Sequence, residues 1–244
     1  MNRAWYTGHT AEDLADCAIL VGDPDRIDRL AALLDAPQFL PVQRGLRTVT
    51  GTWQGQRVSA ASFGMGAPVA TIVLHEFAAL GLRRFVRIGT AMHFPPARGG
   101  DFLISEAALP FDGTSPAYGA TPGEPVAADA ALCTRLGAAA EAQGCTPRRG
   151  LYATFDAFYR DMFGIDPEGH ACADRQRARM QARGVLASDT ETAALLSAGR
   201  ALGVAAATLC LGTVDALSQQ KLDADALARG ETQLFRIALD AITT

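Results

Sequence analysis

The chain has 244 residues, 49% hydrophobic and 20% charged, with a formal net charge of −4. That length and balance describe a folded chain with a sizeable core, and they exclude both a disordered chain and a general basic field for nucleic acid. No apolar run is long enough to cross a bilayer, and Met1-Asn2-Arg3-Ala4-Trp5-Tyr6 lacks the apolar core of a secretion signal, so neither a membrane nor a nucleic acid is an expected partner.

Ala18-Ile19-Leu20-Val21 reads as a buried first strand, followed by the turn Gly22-Asp23-Pro24-Asp25-Arg26. Ile27 to Leu34, apolar at 27, 30, 33 and 34, is a helical face. Strand, glycine turn and helix in that order aim backbone N–H groups at an anion, with Arg26 beside it; alternatively Asp23 and Asp25 cap the helix and Arg26 is solvated. Residues 48–53 and 57–63 read as a strand pair joined by a hairpin turn at Gln54-Gly55-Gln56. Gly64-Met65-Gly66-Ala67-Pro68 leads into a helix from 69 to 80, with Pro68 in its first turn.

Arg84 to Ile88 is short, apolar and rich in branched residues, a buried strand with a guanidinium in it. Such a charge is costly unless it meets an anion or a carboxylate. Gly89 allows close backbone approach and Thr90 adds a hydroxyl, so Arg87 and Thr90 form one wall of an anion site or Arg87 pairs with an internal Asp or Glu. Onward, the pattern gives irregular chain to Gly100, a short strand at 102–104, a loop at 110–125 and a helix at 126–143. A strand at 149–154, an aromatic loop at 156–167 and a basic helix at 175–183 with a solvated face follow. A strand at 185–188, a helix at 190–202 capped near Asp189, a strand at 204–213 and a helix at 225–242 weakened by Gly230 complete it. Alternation of strands and helices without a linker means one α/β domain over residues 1–244 around a largely buried sheet. Cys17, Cys133, Cys145, Cys172 and Cys210 are an odd number with no CxxC pair, which argues against a disulfide scaffold and a zinc site and suits a reducing cytoplasm.

Six segments in order resemble those of the hexameric nucleoside phosphorylases, the group of uridine phosphorylase and bacterial purine nucleoside phosphorylase. Gly22-Asp23-Pro24-Asp25-Arg26 resembles the first phosphate loop, and Gln43-Arg44-Gly45 the arginine that reaches a neighbouring subunit's site. Gly64 to Pro68 resembles the glycine turn, with Met65 near the sugar or simply packed, and Arg87-Ile88-Gly89-Thr90 the third phosphate segment. Asp156-Ala157-Phe158-Tyr159 resembles the base-stacking segment, and Asp189-Thr190-Glu191-Thr192-Ala193 the ribose segment.

The resemblance covers about Trp5 to Gln220. It implies a three-layer α/β/α sandwich around a central mixed, partly barrel-like sheet. It further implies phosphate held by Gly22, Arg26, Arg44, Arg87 and Thr90, ribose by Glu191, Thr190, Met65 and Tyr6, and base by Phe158, Met162 and Asp215. No metal or organic cofactor is implied; inorganic phosphate is the co-substrate, the nucleoside the substrate, and the assembly a homo-oligomer, a hexamer built from dimers.

The chain departs from the pattern on the base side. Met162 and Gly164 stand where uridine phosphorylases hold uracil with glutamine and arginine, and Ala216 stands at their second base-side arginine. Tyr6 replaces an N-terminal histidine, with His9 nearby, and Thr190 replaces a methionine. Asp215 falls one residue from the purine branch's acid; after an apolar strand, burial would raise its pKa toward proton donation, with Arg87 the second catalytic group, or it merely caps the next turn. Glu191 alone would read as a first-turn helix glutamate and Phe158 as a core aromatic. His93 lines the pocket or sits in a surface loop; His75 and His170 read as structural. The expected activity is phosphorolysis of a nucleoside to base and pentose 1-phosphate with altered base specificity. A nucleosidase of the same fold and a non-catalytic nucleoside or anion binder are the alternatives.

Overall fold

The computed structural model describes residues 2–244; Met1, the first residue of the N-terminal stretch read above, lies outside them. In chain order the elements are β1 (Cys17–Val21), α1 (Asp25–Ala31), β2 (Asp35–Phe39), β3 (Thr48–Trp53), β4 (Gln56–Ser62), α2 (Ala67–Ala79) and β5 (Arg84–His93). Then come β6 (Phe102–Phe111), a 3₁₀ turn (Ser115–Tyr118), β7 (Val126–Ala127), α3 (Ala130–Ala142) and β8 (Arg148–Phe155). A π turn (Tyr159–Phe163), α4 (Pro167–Ala182), β9 (Val185–Asp189), α5 (Thr192–Leu202), β10 (Ala205–Asp215) and α6 (Ala224–Thr243) finish the chain. Among the described residues no helix is long and apolar enough to cross a membrane.

The ten strands among the described residues form one mixed sheet, in the order β10-β6-β8-β9-β5-β1-β4-β3-β2 with β7 beside β6. β10 also pairs with β5, so β5, β10, β6, β8 and β9 close into a five-stranded ring, the barrel-like part of a layered α/β fold. The period of two along buried strands sorts side chains to opposite faces. In β1, Cys17, Ile19 and Val21 join the apolar cluster that includes α1, α3 and α6, while Ala18 and Leu20 join the one that includes α2 and α5. In β5, Val86 and Ile88 go to the first face and Phe85 to the second. Parity therefore sends Arg87 to the face covered by α2 and α5.

Several boundaries differ from the sequence reading. β2 was not anticipated: its five residues are all exposed, so it has no apolar pattern, and it pairs only as an edge with β3. β5 runs on to His93 and β6 to Phe111, because the ring pairs the residues beyond Ile88 and Ile104 with β9, β10 and β8. The helix expected from 126 starts at Ala130, where Asp129 accepts the Leu132 N–H at 2.8 Å; Val126 and Ala127 pair with β6 instead. α4 begins at Pro167, capped by Asp166, eight residues before its basic stretch. The hairpin turn is as read, with φ of 50° at Gln54 and 78° at Gly55, the left-handed pair of a tight two-residue turn.

Gly199 carries the close approach of α5 to β10. A Cβ there would lie 2.9 Å from Ala206 Cβ and 3.2 Å from Val204 O. Gly199→Ala should therefore lower stability by about 1–3 kcal/mol from overpacking, despite the better helix propensity of alanine. The check is a fall in the urea midpoint with an unchanged slope.

Candidate active site

The site is built around Arg87, whose side chain is 6% exposed. Its Nη1 lies 2.9 Å from Asp189 Oδ2, at the end of β9, and its Nη2 donates to Glu191 Oε2, at the start of α5, at 2.5 Å. Nη1 also donates to Cys210 Sγ on the neighbouring strand β10 at 2.9 Å. Burial opposes the charge on Arg87, but the surrounding acids outweigh it and hold the guanidinium protonated, well above its ordinary pKa. Burial pushes the Cys210 thiol up to about 11, so it contributes as a neutral group. A Cβ on Gly89 would fall 3.0 Å from Nη2 and 3.1 Å from Cζ of Arg87, so the glycine is what lets the guanidinium fold back along its own strand.

Asp189 does more than balance the arginine. Its Oδ1 accepts from Thr154 Oγ1 at 2.9 Å and from the Thr192 and Glu191 N–H groups at 3.1 and 3.3 Å; its Oδ2 accepts from Thr192 Oγ1. Asp189 thus satisfies the first N–H groups of α5 from two residues before its N-cap, Glu191, close to where the sequence puts the cap, and it is also the buried counter-ion. Glu191 Oε1 accepts from the Gly66 N–H at 2.7 Å and from Thr190 Oγ1, so the glycine turn before α2 and the ribose-type segment before α5 meet at one carboxylate. Gly22 abuts that turn: a Cβ on it would lie 2.9 Å from Gly64 O. Thr90 is half-buried, two positions past Ile88, which pairs with Val21 just before Gly22, and its hydroxyl makes no hydrogen bond among the described residues.

Arg26 is buried, not solvated, and its Nε donates to Glu231 Oε1 of α6 at 2.7 Å. Glu231 Oε2 is shared with Arg29 Nη2 at 3.2 Å. The two terminal nitrogens of Arg26 make no hydrogen bond among the described residues. The internal-carboxylate reading offered for Arg87 therefore holds for Arg26 as well, and an anion site here has Arg26 Nη groups, the Gly22 turn and Thr90 as its uncommitted donors.

The remaining candidates stand apart from this cluster. Arg44, in an exposed turn at φ 53°, stacks over the Tyr6 ring at 4.9 Å, and neither side chain hydrogen-bonds to the Arg87 group. Met65 lies in the turn whose Gly66 N–H meets Glu191, but its own side chain is exposed. Phe158 is half-buried, stacked on Phe163 with centroids 5.8 Å apart, and packs with buried Met162 in a cluster that also holds Met92, Phe94 and Ala216. Asp215 corrects an expectation. Burial does act to raise its pKa, but hydrogen bonds from Ser218 N and Oγ and Leu217 N, at 2.7, 3.0 and 2.9 Å, outweigh it and hold the carboxyl below its ordinary value. Its geometry is that of a turn cap, not of a proton donor. His93 is buried in β5, its Nδ1 3.1 Å from Ala97 O, rather than in a surface loop. Among the described residues no group of His, Cys, Asp and Glu is placed to hold a metal ion.

Sequence reasoning passed over Glu231 and Glu76. Glu76, buried in α2, accepts the Tyr6 and Thr7 N–H groups at 2.5 and 2.9 Å and Thr7 Oγ1 at 2.8 Å, which seats the N-terminal segment. Both had a signal: each acid interrupts an apolar helical stripe, Glu76 beside Val73, Phe77 and Leu80, and Glu231 beside Leu227, Leu234 and Phe235.

Residues 16–243 match the family model described as the phosphorylase superfamily. Uridine phosphorylase of Salmonella typhimurium is 32% identical over 97% of this chain and 96% of its own length. Guanosine phosphorylase of Halorubrum lacusprofundi is 28% identical over 95% of this chain and 94% of its own. A crystal structure of uridine phosphorylase from Vibrio fischeri, complexed with 6-hydroxy-1-naphthoic acid, superposes with a TM-score of 0.86 at 26% identity, covering 99% of this chain and 96% of that one.

Asp189→Ala leaves the Arg87 charge with Glu191 alone and Thr154 and Thr192 without their acceptor. It should cost about 3–5 kcal/mol of stability, read as a lowered urea midpoint, with an Asn replacement less damaging because it keeps one acceptor oxygen for the Thr154 hydroxyl and the Thr192 N–H.

Proposed function

Because the chain belongs to the phosphorylase superfamily, we propose that it cleaves the N-glycosidic bond of a nucleoside with phosphate, giving free base and pentose 1-phosphate, with a base preference other than the usual uracil recognition. The observation that carries this reading is the meeting of Arg87 with Glu191 at 2.5 Å across a sequence separation of 104 residues, beside the Gly64–Gly66 turn. Phosphorolysis passes through a cationic, oxocarbenium-like sugar. Glu191 accepts the ribose hydroxyls, and its negative charge lies under the developing cation. Phosphate is held by the terminal nitrogens of Arg26, the Gly22 turn and the Thr90 hydroxyl. Arg87 is shared between Glu191 and the phosphate and fixes the distance between the two substrates; positioning and charge stabilisation are together worth several kcal/mol of barrier.

The altered base preference is supported by Met162, Gly164 and Ala216. Apolar or absent side chains at these positions leave uracil's polar edge unpaired, and sites of that kind discriminate through paired polar groups. Asp215, held ionised, serves as an acceptor or turn cap and not as the acid that protonates the leaving base. No metal or organic cofactor enters this scheme; inorganic phosphate is the co-substrate. The enzyme works as a homo-oligomer: Trp5, Tyr6, Phe39, Val42 and Met65 are exposed apolar side chains suited to contact with a second copy, and Arg44, stacked on Tyr6, serves a neighbouring site with it.

A second reading, hydrolysis of the same bond by water, is favoured by one observation: Arg26 and Arg87 each already carry an internal carboxylate, which lowers the positive charge left for phosphate. Base release from a panel of purine and pyrimidine nucleosides, measured with and without phosphate, separates the two. The proposal expects release to rise by about a hundredfold or more with phosphate and pentose 1-phosphate to accumulate. Equal rates in both conditions reject it in favour of hydrolysis.

A further inference from the structure

The basic stretch of α4 was read as a solvated face, and Arg177 does not fit that description. Its side chain is 8% exposed. Nη1 donates to the backbone carbonyl of Met162 at 2.5 Å, and Nη2 donates to Asp174 on its own helix. Met162 O lies in the π turn that follows Phe158, so a buried charge on α4 is spent on the backbone of the segment proposed to face the base. Gln219 approaches the same point from the loop after β10. With its amide oxygen toward Arg177 it accepts from Nη1 at 2.6 Å, and its Nε2 then donates to Phe163 O at 3.3 Å. Gln219 holds a left-handed φ of 59°, a conformation unfavourable for a non-glycine residue. That turn is fixed by Asp215, whose carbonyl accepts the Gln219 N–H at 2.8 Å and whose carboxylate accepts from residues 217 and 218.

Three separate stretches, α4, the π turn and the loop 215–220, are thus tied at one guanidinium. A π turn is rare and short, and the carbonyls of Met162 and Phe163 are held from outside by Arg177 and Gln219. The apolar side chains of Phe158, Met162 and Phe163 have no polar group of their own to fix their orientation.

Resting on the phosphorylase reading above, we propose that Arg177 and Gln219 are positioning residues that clamp the Phe158–Phe163 segment and so set the affinity for the nucleoside's base. The clamp takes the place of side-chain contacts to the base edge that Met162, Gly164 and Ala216 do not supply: base selection rests on the shape of an apolar wall held rigid from behind. Rigid placement lowers the ordering cost of binding, so the clamp acts on nucleoside affinity and leaves phosphate untouched.

The test compares Arg177→Met, Arg177→Lys and Gln219→Ala with wild type in the full chain. Two quantities are read: amide hydrogen exchange across residues 158–164, and nucleoside Kd by calorimetry without phosphate, alongside KM for phosphate. The proposal expects faster exchange confined to 158–164, a nucleoside Kd raised about tenfold or more in R177M and Q219A, a smaller rise in R177K, and KM for phosphate within about twofold of wild type. The double variant should be no worse than R177M alone, because the two side chains serve one joint. Unchanged exchange, an unchanged nucleoside Kd, or equal losses in nucleoside and phosphate affinity overturn it. Gln219 lies on a half-exposed turn, so Q219A decides the matter if R177M fails to fold. A wild type that binds nucleoside but releases no base with phosphate rejects the phosphorylase reading while this comparison still returns its own answer.

Discussion

A guanidinium buried to 6% exposure on a central strand, between two parallel neighbours of a mixed sheet, is the constraint to which this structure answers. Burying that charge alone would cost several kcal/mol, and Asp189 and Glu191 converge on it from the end of β9 and the first turn of α5. Their convergence fixes the register of α5 against β5, draws the Gly64–Gly66 turn in through the Gly66 N–H, and requires Gly89 to have no side chain. The same contacts that stabilise the fold here create a carboxylate and a cation side by side near the carboxyl ends of β1 and β4, where open α/β sheets hold ligands. Structure and proposed chemistry are consequently hard to separate at this point: a change that removes either acid damages both.

Arg26 shows the same economy in a simpler form. Glu231 holds its Nε and leaves the terminal nitrogens uncommitted, which orients the fork rather than consuming it. Around the proposed base wall the logic changes. The side chains are apolar, and the polar work is done behind them, by Arg177 and Gln219 on backbone carbonyls and by Asp215 on its own turn.

Much of this was legible in the sequence. Period-two strands, helical stripes and the Gln54-Gly55 turn gave the alternating α/β layout, and the clustering of Gly22, Arg87, Thr90, Thr190 and Glu191 near one another follows the order of glycine turns and strand ends. What stayed hidden has a common cause: it depends on which distant segments meet. No local pattern says that β5 and β6 continue by closing a ring, that exposed Asp35–Phe39 pairs as an edge, or that Arg177 points inward while Arg175 beside it on α4 does not. Asp215 misled because a position after an apolar strand suggests desolvation, while its pKa is decided by N–H groups two and three residues further on. The acids Glu76 and Glu231 were the exception, visible as charges on apolar stripes.

The account's central claim is that Arg26, Arg87, the Gly22 turn and Thr90 form a single oxyanion site next to the Glu191 carboxylate. Calorimetric titration of inorganic phosphate into the full chain, wild type against Arg26→Gln, tests it most directly. The account predicts one phosphate bound per chain, with affinity reduced about tenfold or more when the fork of Arg26 is lost. Phosphate that binds both proteins equally, or neither, would contradict it.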